Sequence, residues 1–345
     1  MLRFRVISLL GRPSRIRSAS SFHPKLSLEQ VSDDTFKCSK ENLNVVFAPG
    51  AFGGQLMAQS LTSAQSSSPP SFSPSSQQCS FLGPTLIDSP VYFTVSPVRD
   101  SGRSFKTLRV RVRQLGDESS DLSSLPLRPV SFESTVSLYS PPSSLSGSPA
   151  LSPSSSSPPL TLADFTSSLP LSSLSGTAGS LFATALTMTS SLSLPALSAT
   201  IRVPTTPLPP GGLTSYFVGV PNTMSSIGAG YPILPYLSDG MTQVLACCRS
   251  LDDHWSSWPE KLTVWNYSTS FSPSVAGSPY VDDGGLRWYV LSYDFQGVHL
   301  GLGSGSVRVY DLGGEGVLCH STFLVIAHPP KDGDGGGGGG GGGGA

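Results

Sequence analysis

Charged residues are scarce in this chain of 345 residues. Only 12% of them are Asp, Glu, Lys or Arg, against roughly a quarter in an average globular protein. The formal net charge is −1, so the chain lacks the broad basic field that nucleic-acid binding usually needs. We therefore expect no nucleic-acid partner. The chain also has 37 glycines and 31 prolines, which predicts that much of it forms low-complexity spacers.

Cysteines are few and irregularly spaced. There are five of them and no C-x-x-C pair, a pattern that indicates neither a zinc site nor a disulfide framework. We predict free thiols in a reducing compartment, no metal site and no cofactor. The cysteines are Cys38, Cys79, Cys247, Cys248 and Cys319.

Two further absences concern location. The chain has no run of 18 or more apolar residues, so we expect no integral membrane segment. Its first acidic residue is Glu29, and five arginines precede it, which is typical of an organelle transit peptide. Residues 1–22 are predicted to direct the chain to the mitochondrion, with the plastid or the peroxisome as alternatives, although the terminal Ala345 is not a Ser-Lys-Leu address. A disordered basic tail is the other interpretation.

Four segments are predicted to be spacers, because Ser, Pro or Gly dominates them and they can bury little apolar area. A fifth segment, Leu160–Leu197, carries regularly placed leucines among Ser and Thr, and we interpret it as a partly ordered linker. The four spacers are Ser66–Ser76, Asp117–Leu125, Pro141–Pro159 and Gly335–Gly344.

The remaining sequence forms two blocks of the same order, a helix followed by strands. The segment Phe105–Gln114 reads FKTLRVRVRQ, and its strict alternation predicts a strand with one buried face and one solvated arginine face. A repeat of this size indicates a duplicated α+β unit. The predicted helices are Gly54–Gln65 and Ile233–Cys248, and the other predicted strands are Val91–Val95, Val130–Leu138, Leu262–Phe271, Arg287–Asp294, Ser304–Asp311 and Val317–Ile326.

The segment FGGQLMAQSL, residues 52–61, resembles the start of the buried helix in acyl-CoA thioesterases of the bacterial thioesterase II and peroxisomal type. Other segments resemble the family in the same order along the chain. Cys38 departs from the family, which has glycine in that lead strand. The matching segments are Leu28–Phe36, Phe81–Pro84, Arg99–Gln114, Tyr236–Asp239, Val309–Asp311 and Gly316–Ser321.

The resemblance implies an α+β double hotdog, in which two long helices are each wrapped by an antiparallel β-sheet, with Ser/Pro-rich insertions. The paired glycines Gly53 and Gly54 would let the first helix begin in tight contact with its sheet. The predicted domains are a transit peptide 1–22, an N-terminal hotdog 23–140, a linker 141–212, a C-terminal hotdog 213–330 and a Gly-rich tail 331–345.

The resemblance also implies a site in which Asp, a hydroxyl and Gln hold a water. Asp239 stands at the Asp position, although an Asp near a helix start is often only a cap. Thr263 and Ser268 are the candidate hydroxyls. Gly53, Gly54 and Gln55 are candidate substrate-binding residues, with a packing role as the alternative.

Residues on two of the predicted strands depart from the family pattern. When the family's strand is aligned on Phe271, Val264 stands where the family has its hydroxyl residue. Asn266 and Tyr267 then stand where the family has Asp-His. Leu324 follows Phe323 where the family has Gln, and leucine cannot hold a water.

Two functions therefore remain open. The first is an acyl-CoA thioesterase that hydrolyses fatty acyl-CoA to free fatty acid and CoA. The second is a catalytically degenerate hotdog protein that serves as an acyl-binding or structural subunit. The expected partner is an acyl-CoA substrate, and the oligomeric state is left open, a homo-oligomer included.

Overall fold

Most of the described chain is extended and belongs to one sheet. The structure is a computed structural model that describes residues 26–43, 50–100, 104–114, 129–140, 160–170, 200–204, 215–222, 230–240, 261–272, 280–299, 301–313 and 316–328. Within these residues the strands are β1 (Glu29–Gln30), β2 (Thr35–Cys38), β3 (Ser73–Phe81), β4 (Val91–Asp100), β5 (Phe105–Gln114), β6 (Phe132–Tyr139), β7 (Ser168–Pro170), β8 (Thr200–Pro204), β9 (Ser215–Pro221), β10 (Lys261–Phe271), β11 (Leu286–His299), β12 (Leu302–Asp311) and β13 (Val317–His328). The helices are α1 (Gly53–Ser66), α2 (Leu162–Thr166) and α3 (Ile233–Gly240), with a 3₁₀ turn at Lys40–Asn42.

The five strands from β2 inward and the five from β9 inward follow the same order toward the centre of the sheet. The full order runs β1-β2-β4-β5-β6-β3-β10-β13-β12-β11-β9-β8-β7, and every neighbouring pair is antiparallel. The first strand after α1, β3, therefore pairs with the first strand after α3, β10. These two strands join the halves of the sheet at its centre.

The helices α1 and α3 contact each other, and each packs on strands of its own half: α1 on β3 to β6, and α3 on β12 and β13. Helix α1 buries apolar residues, among them Leu56, Met57 and Leu61. It also buries Gln59 and Ser63, because a helix with a sheet on one side and a second helix on another has few positions left that face water. The main core lies between these helices and the inner face of the sheet.

Strand β5 confirms the alternation predicted from its sequence. Leu108, Val110 and Val112 are buried, while Arg111 is exposed and Arg109 and Arg113 are partly exposed. The residues of the inner face contribute to the main core. On the outer face Arg109 and Arg111 both pair with Glu133 of β6, at 3.5 and 3.0 Å.

A second, smaller cluster lies on the other face of β9, β11 and β12. Leu160, just before α2, and Phe165, within it, pack there on Phe217, Trp288 and Tyr310. Residues 160–170 of the predicted linker thus form α2 and β7, while residues 171–199 lie outside the described part of the chain.

The prediction that Ser66–Ser76 is a spacer was wrong for its last residues. Residues from Ser73 onward belong to β3, which pairs with β6 on one side and β10 on the other. Two neighbouring strands satisfy its backbone groups, so a Ser- and Gln-rich segment is held in place despite its weak strand propensity.

The other predicted strands are all present, with ends that differ by a few residues. The predicted continuation of the second helix to Cys248 lies outside the described residues, as do the segments Asp117–Leu125, Pro141–Pro159 and Gly335–Gly344 and the predicted transit peptide. Of the described helices, none is long and apolar enough to cross a membrane. The domain boundaries stay predictions.

Candidate active site

The candidate site lies where α1 begins beside α3. A methyl group at Gly53 would lie 2.8 Å from Oδ2 of Asp239 and 2.8 Å from the ring of Phe81. One at Gly54 would lie 2.9 Å from the carbonyl oxygen of Tyr236. Side chains essentially never pack this closely, so both positions require glycine. The paired glycines permit close contact between the two helices as well as with strand β3.

Asp239 belongs to α3, and its buried carboxylate lies at the start of the neighbouring helix α1. Only 5% of its surface is exposed, and its carboxylate faces Gly53, the first residue of α1. The first N–H groups of a helix have no carbonyl partner within it and carry partial positive charge, so they favour a carboxylate at this place. The structure therefore brings two of the residues singled out in the sequence, Asp239 and Gly53, together.

Tyr267 of β10 is the polar aromatic residue next to this carboxylate. Its ring is buried and stacks on Phe323 at a centroid distance of 5.9 Å. Its hydroxyl donates to the carbonyl oxygen of Ser238 at 2.8 Å. Burial raises the pKa of Tyr267 well above its ordinary value, and the negative charge of Asp239 raises it further. The hydroxyl therefore stays protonated near neutral pH and acts as a hydrogen-bond donor.

The buried thiol of Cys79 also lies within the field of Asp239. Burial raises the pKa of Cys79 to about 12; its hydrogen bond with Ser134 lowers the pKa, and the charge of Asp239 raises it. A thiol with such a pKa is almost entirely protonated at neutral pH and is a poor nucleophile. Cys38, Cys79 and Cys319 are free thiols, as predicted, and no covalent cysteine chemistry is indicated at this site.

The two candidate hydroxyls have different positions. Ser268 stands between the buried Tyr267 and Thr269 on β10, so its side chain projects from the outer face of the sheet, away from the helices. The structure does not bring it to Asp239. The backbone of Thr263 pairs with Ile326, and its side chain lies outside the described part of the structure.

Leu324 also lies on the outer face. It is 44% exposed, between the buried Phe323 and Val325 on β13, and it pairs with the exposed Asn266. An amide at this position would therefore face solvent rather than Asp239. For this reason Leu324→Gln is not expected to complete a water site, and the loss of the family's glutamine cannot be repaired at this residue alone.

Gln55, the third substrate-binding candidate, has a structural contact. It is fully buried, and its amide nitrogen donates to the carbonyl of Asn42 at 2.7 Å. This bond ties the first turn of α1 to the 3₁₀ turn that follows β2. The packing role considered for Gln55 is thus supported by a direct contact.

The sequence analysis did not single out Tyr267, Thr269 and Ser321 as candidate site residues. The side-chain oxygens of Thr269 and Ser321 lie 2.9 Å apart on the inner face of β10 and β13. The signal was present in the alternation of Tyr267, Thr269 and Phe271, which places all three on one face of a strand. The family pattern drew attention instead to Ser268 on the opposite face.

No group of His, Cys, Asp and Glu side chains within the described residues could hold a metal ion. The site therefore consists of a buried carboxylate at a helix start, a buried tyrosine hydroxyl and apolar neighbours. Such a set can accept a proton and orient a polar ligand.

Comparison with known proteins identifies a matching family model and similar folds. Residues 45–134 match the family model of the acyl-CoA thioesterase N-terminal domain, which confirms the resemblance predicted from the sequence. No curated protein sequence matches the chain closely enough to count as a relative.

Several solved structures have a similar fold. An acyl-CoA thioesterase II, TesB2, from Mycobacterium marinum is 18% identical, with 90% of this chain and 97% of that chain covered and a TM-score of 0.52. A putative thioesterase II from Thermobifida fusca is 12% identical, with 89% and 98% covered and a TM-score of 0.57. A protein of unknown function with a hot dog fold from Alicyclobacillus acidocaldarius is 14% identical, with 90% and 99% covered and a TM-score of 0.50. At these identities the likeness concerns the fold, a large antiparallel sheet with few helices.

Proposed function

We propose that this chain is an acyl-CoA thioesterase that hydrolyses fatty acyl-CoA to a free fatty acid and CoA. The observation that carries the proposal is the buried carboxylate of Asp239 beside the start of α1. The match of residues 45–134 to an acyl-CoA thioesterase domain supports the same chemistry.

The architecture that goes with this function is a double hotdog. Each half contributes one central helix and a meander of antiparallel strands, and the strand order repeats from the centre outward. A duplicated unit of this kind places the start of the first helix beside the residues of the second half. Asp239 belongs to the second half and Gly53 to the first, so the site requires both.

The proposed reaction adds water to the thioester carbonyl. The carboxylate of Asp239 accepts a proton from the water as its oxygen bonds to the carbonyl carbon. Negative charge on the carbonyl oxygen is stabilised by N–H groups at the start of α1. The C–S bond then breaks, the CoA sulfur leaves with the electron pair and takes up the proton, and the fatty acid is released. No redox step or cofactor is needed.

The test is release of free thiol from acyl-CoA substrates of different chain length by the purified protein. We expect hydrolysis by the wild-type chain and a loss in kcat of about 100-fold or more in Asp239→Asn, because the amide cannot act as a base. KM should change little, because the apolar acyl chain does not depend on the carboxylate. Asp294→Asn, which removes an exposed carboxylate of β11, is the matched control and should keep full activity.

A second function is favoured by one observation, the position of Ser268 and Leu324 on the outer face. A chain without a complete water-holding set could bind an acyl-CoA without cleaving it. Binding of acyl-CoA by the wild-type protein, with no thiol release at any chain length and no effect of Asp239→Asn, would establish this alternative and exclude the thioesterase.

We propose in addition that residues 1–22 direct the chain to mitochondria. The support is the run of arginines without an acid before Glu29. A fluorescent reporter fused behind residues 1 to about 25 should enter mitochondria. A version in which the five arginines become glutamine is the control. Reporter signal that stays in the cytosol, or that enters plastids or peroxisomes, would contradict the assignment.

A further inference from the structure

Three buried hydroxyl groups lie on the inner face of the two strands that adjoin Asp239. They belong to Tyr267 and Thr269 of β10 and to Ser321 of β13, and none is more than 1% exposed. The oxygens of Thr269 and Ser321 are 2.9 Å apart. The hydroxyl of Tyr267 donates to the carbonyl oxygen of Ser238 at 2.8 Å.

Tyr267 is the donor of the hydrogen bond that reaches α3. A tyrosine hydroxyl has one proton, and Tyr267 gives it to the carbonyl oxygen of Ser238. The hydroxyl therefore holds the peptide that links Ser238 to Asp239.

The residue that accepts the hydrogen bond of Tyr267, Ser238, is held in place within α3. The hydroxyl of Ser238 donates to the carbonyl of Pro235 at 3.0 Å, so Ser238 is fixed through both its side chain and its carbonyl. The residue that follows is Asp239, whose carboxylate must fit against Gly53 without room for a methyl group. A small rotation of the peptide would move the carboxylate out of this place.

We propose that Tyr267 is a positioning residue for Asp239, which it holds through its hydrogen bond to the carbonyl of Ser238. The inference rests on the proposed thioesterase function, in which Asp239 accepts the proton from water. Tyr267 acts through the peptide of Ser238 and does not contact the reacting atoms. A hydrogen bond in the protein interior is electrostatically stronger than one in water, so the loss of this hydroxyl should weaken the hold on Asp239.

The test is the kinetics of Tyr267→Phe in the full chain, with thiol release as the readout. Phenylalanine keeps the ring and removes only the hydroxyl. We expect kcat to fall about tenfold, the effect of one lost buried hydrogen bond, while KM stays within about twofold because ligand contacts are unchanged. In Asp239→Asn/Tyr267→Phe, kcat should equal that of Asp239→Asn alone, since a residue that acts through Asp239 adds nothing once its carboxylate is gone.

Tyr216→Phe is the matched control. It removes another buried tyrosine hydroxyl, 3.2 Å from that of Tyr293 on the inner face of the same sheet, and Tyr216 has no role in the proposed site. A purely structural effect of losing a buried hydroxyl should lower the melting temperature in both variants and leave kcat of Tyr216→Phe unchanged.

The outcomes separate the two proposals. Thiol release by wild type with an unchanged kcat in Tyr267→Phe, or equal kcat losses in Tyr267→Phe and Tyr216→Phe, would overturn the positioning role alone. No thiol release by wild type would overturn the proposed function and the positioning role with it. If Tyr267→Phe does not fold, Phe323→Leu, which removes the ring stacked on Tyr267, carries the test: a fall in kcat of about threefold supports the positioning role, and an unchanged kcat overturns it.

Discussion

At the scale of single residues, glycine and aspartate occupy the place where the two halves meet. Gly53 leaves space that the carboxylate of Asp239 and the ring of Phe81 occupy. Glycine normally weakens a helix, but here the lost propensity is offset by a contact that no other residue permits. The geometry of the candidate site therefore depends on the absence of a side chain as much as on the presence of a carboxylate.

Gly53→Ala should destabilise the protein and lower its activity. Overpacking costs about 1–3 kcal/mol, and the better helix propensity of alanine returns up to about 1 kcal/mol. We expect the free energy of unfolding, measured by urea denaturation, to fall by about 1–2 kcal/mol, which is the middle of the overpacking range, about 2 kcal/mol, less a propensity gain between zero and about 1 kcal/mol. Thiol release should fall as well, because the added methyl group displaces Asp239.

Gly83→Ala is the control for this prediction. A methyl group at Gly83 meets nothing within 4 Å, so the free energy of unfolding should change by less than about 0.5 kcal/mol. Equal effects of the two substitutions would show that contact with Asp239 and Phe81 does not decide the result.

At the scale of secondary-structure elements, a short helix covers the outer face of the sheet in the second half. Phe165 of α2 contacts Phe217, Trp288 and Tyr280, with ring centroids 5.2, 4.9 and 5.6 Å apart. The guanidinium of Arg202 lies 4.8 Å from the ring of Phe165. A five-residue helix is too short to be stable alone, so these contacts hold α2 in place.

Phe165→Ala should release α2 from the sheet. The free energy of unfolding should fall by about 3 kcal/mol, the usual cost of removing a buried phenylalanine. Hydrogen exchange should become faster in peptides from β8 and β9. Leu162→Ala, at a position that is 47% exposed on the same helix, should change neither quantity. Protection of β8 and β9 that survives Phe165→Ala would show that α2 does not hold this edge.

At the scale of the whole molecule, one sheet unites two similar halves. The central pair β3 and β10 has register partners from Ser76 with Ser270 to Ser80 with Asn266, and α1 contacts α3 beneath it. The two halves share a backbone ladder and a helix contact, so the segment between them need not pack to keep them together.

Replacing residues 141–159 with a Gly/Ser sequence of the same length tests this view. The reach of the connection is kept while its own sequence is removed. Because a Ser/Pro-rich segment buries little apolar area, we expect the melting temperature to change by less than about 2 °C, under the 2–4 °C that a loss of about 1 kcal/mol produces in a domain of about 150–250 residues. A larger fall would show that this segment packs on the folded part.

The positions of the elements could be predicted from the sequence, because periodicity is a local property. The alternation in FKTLRVRVRQ predicted both the strand and its buried face, and the apolar spacing after Gly54 predicted α1. The failure at Ser73–Ser76 has a physical reason: a polar strand is held by its neighbours on both sides, and its own residues carry no sign of them.

The same distinction between local and long-range information applies to the residues of the candidate site. The sequence by itself determined that Gly53 and Asp239 stand in family-like segments, and that a strand with Tyr267 follows. Only the tertiary structure decided that Asp239 meets Gly53 across two helices, that Tyr267 and Ser321 share its side of the sheet, and that Ser268 and Leu324 face away. A strand position reaches one face or the other according to pairing and bulges, such as the irregularity between Val264 and Asn266, and these depend on contacts between residues far apart in the chain.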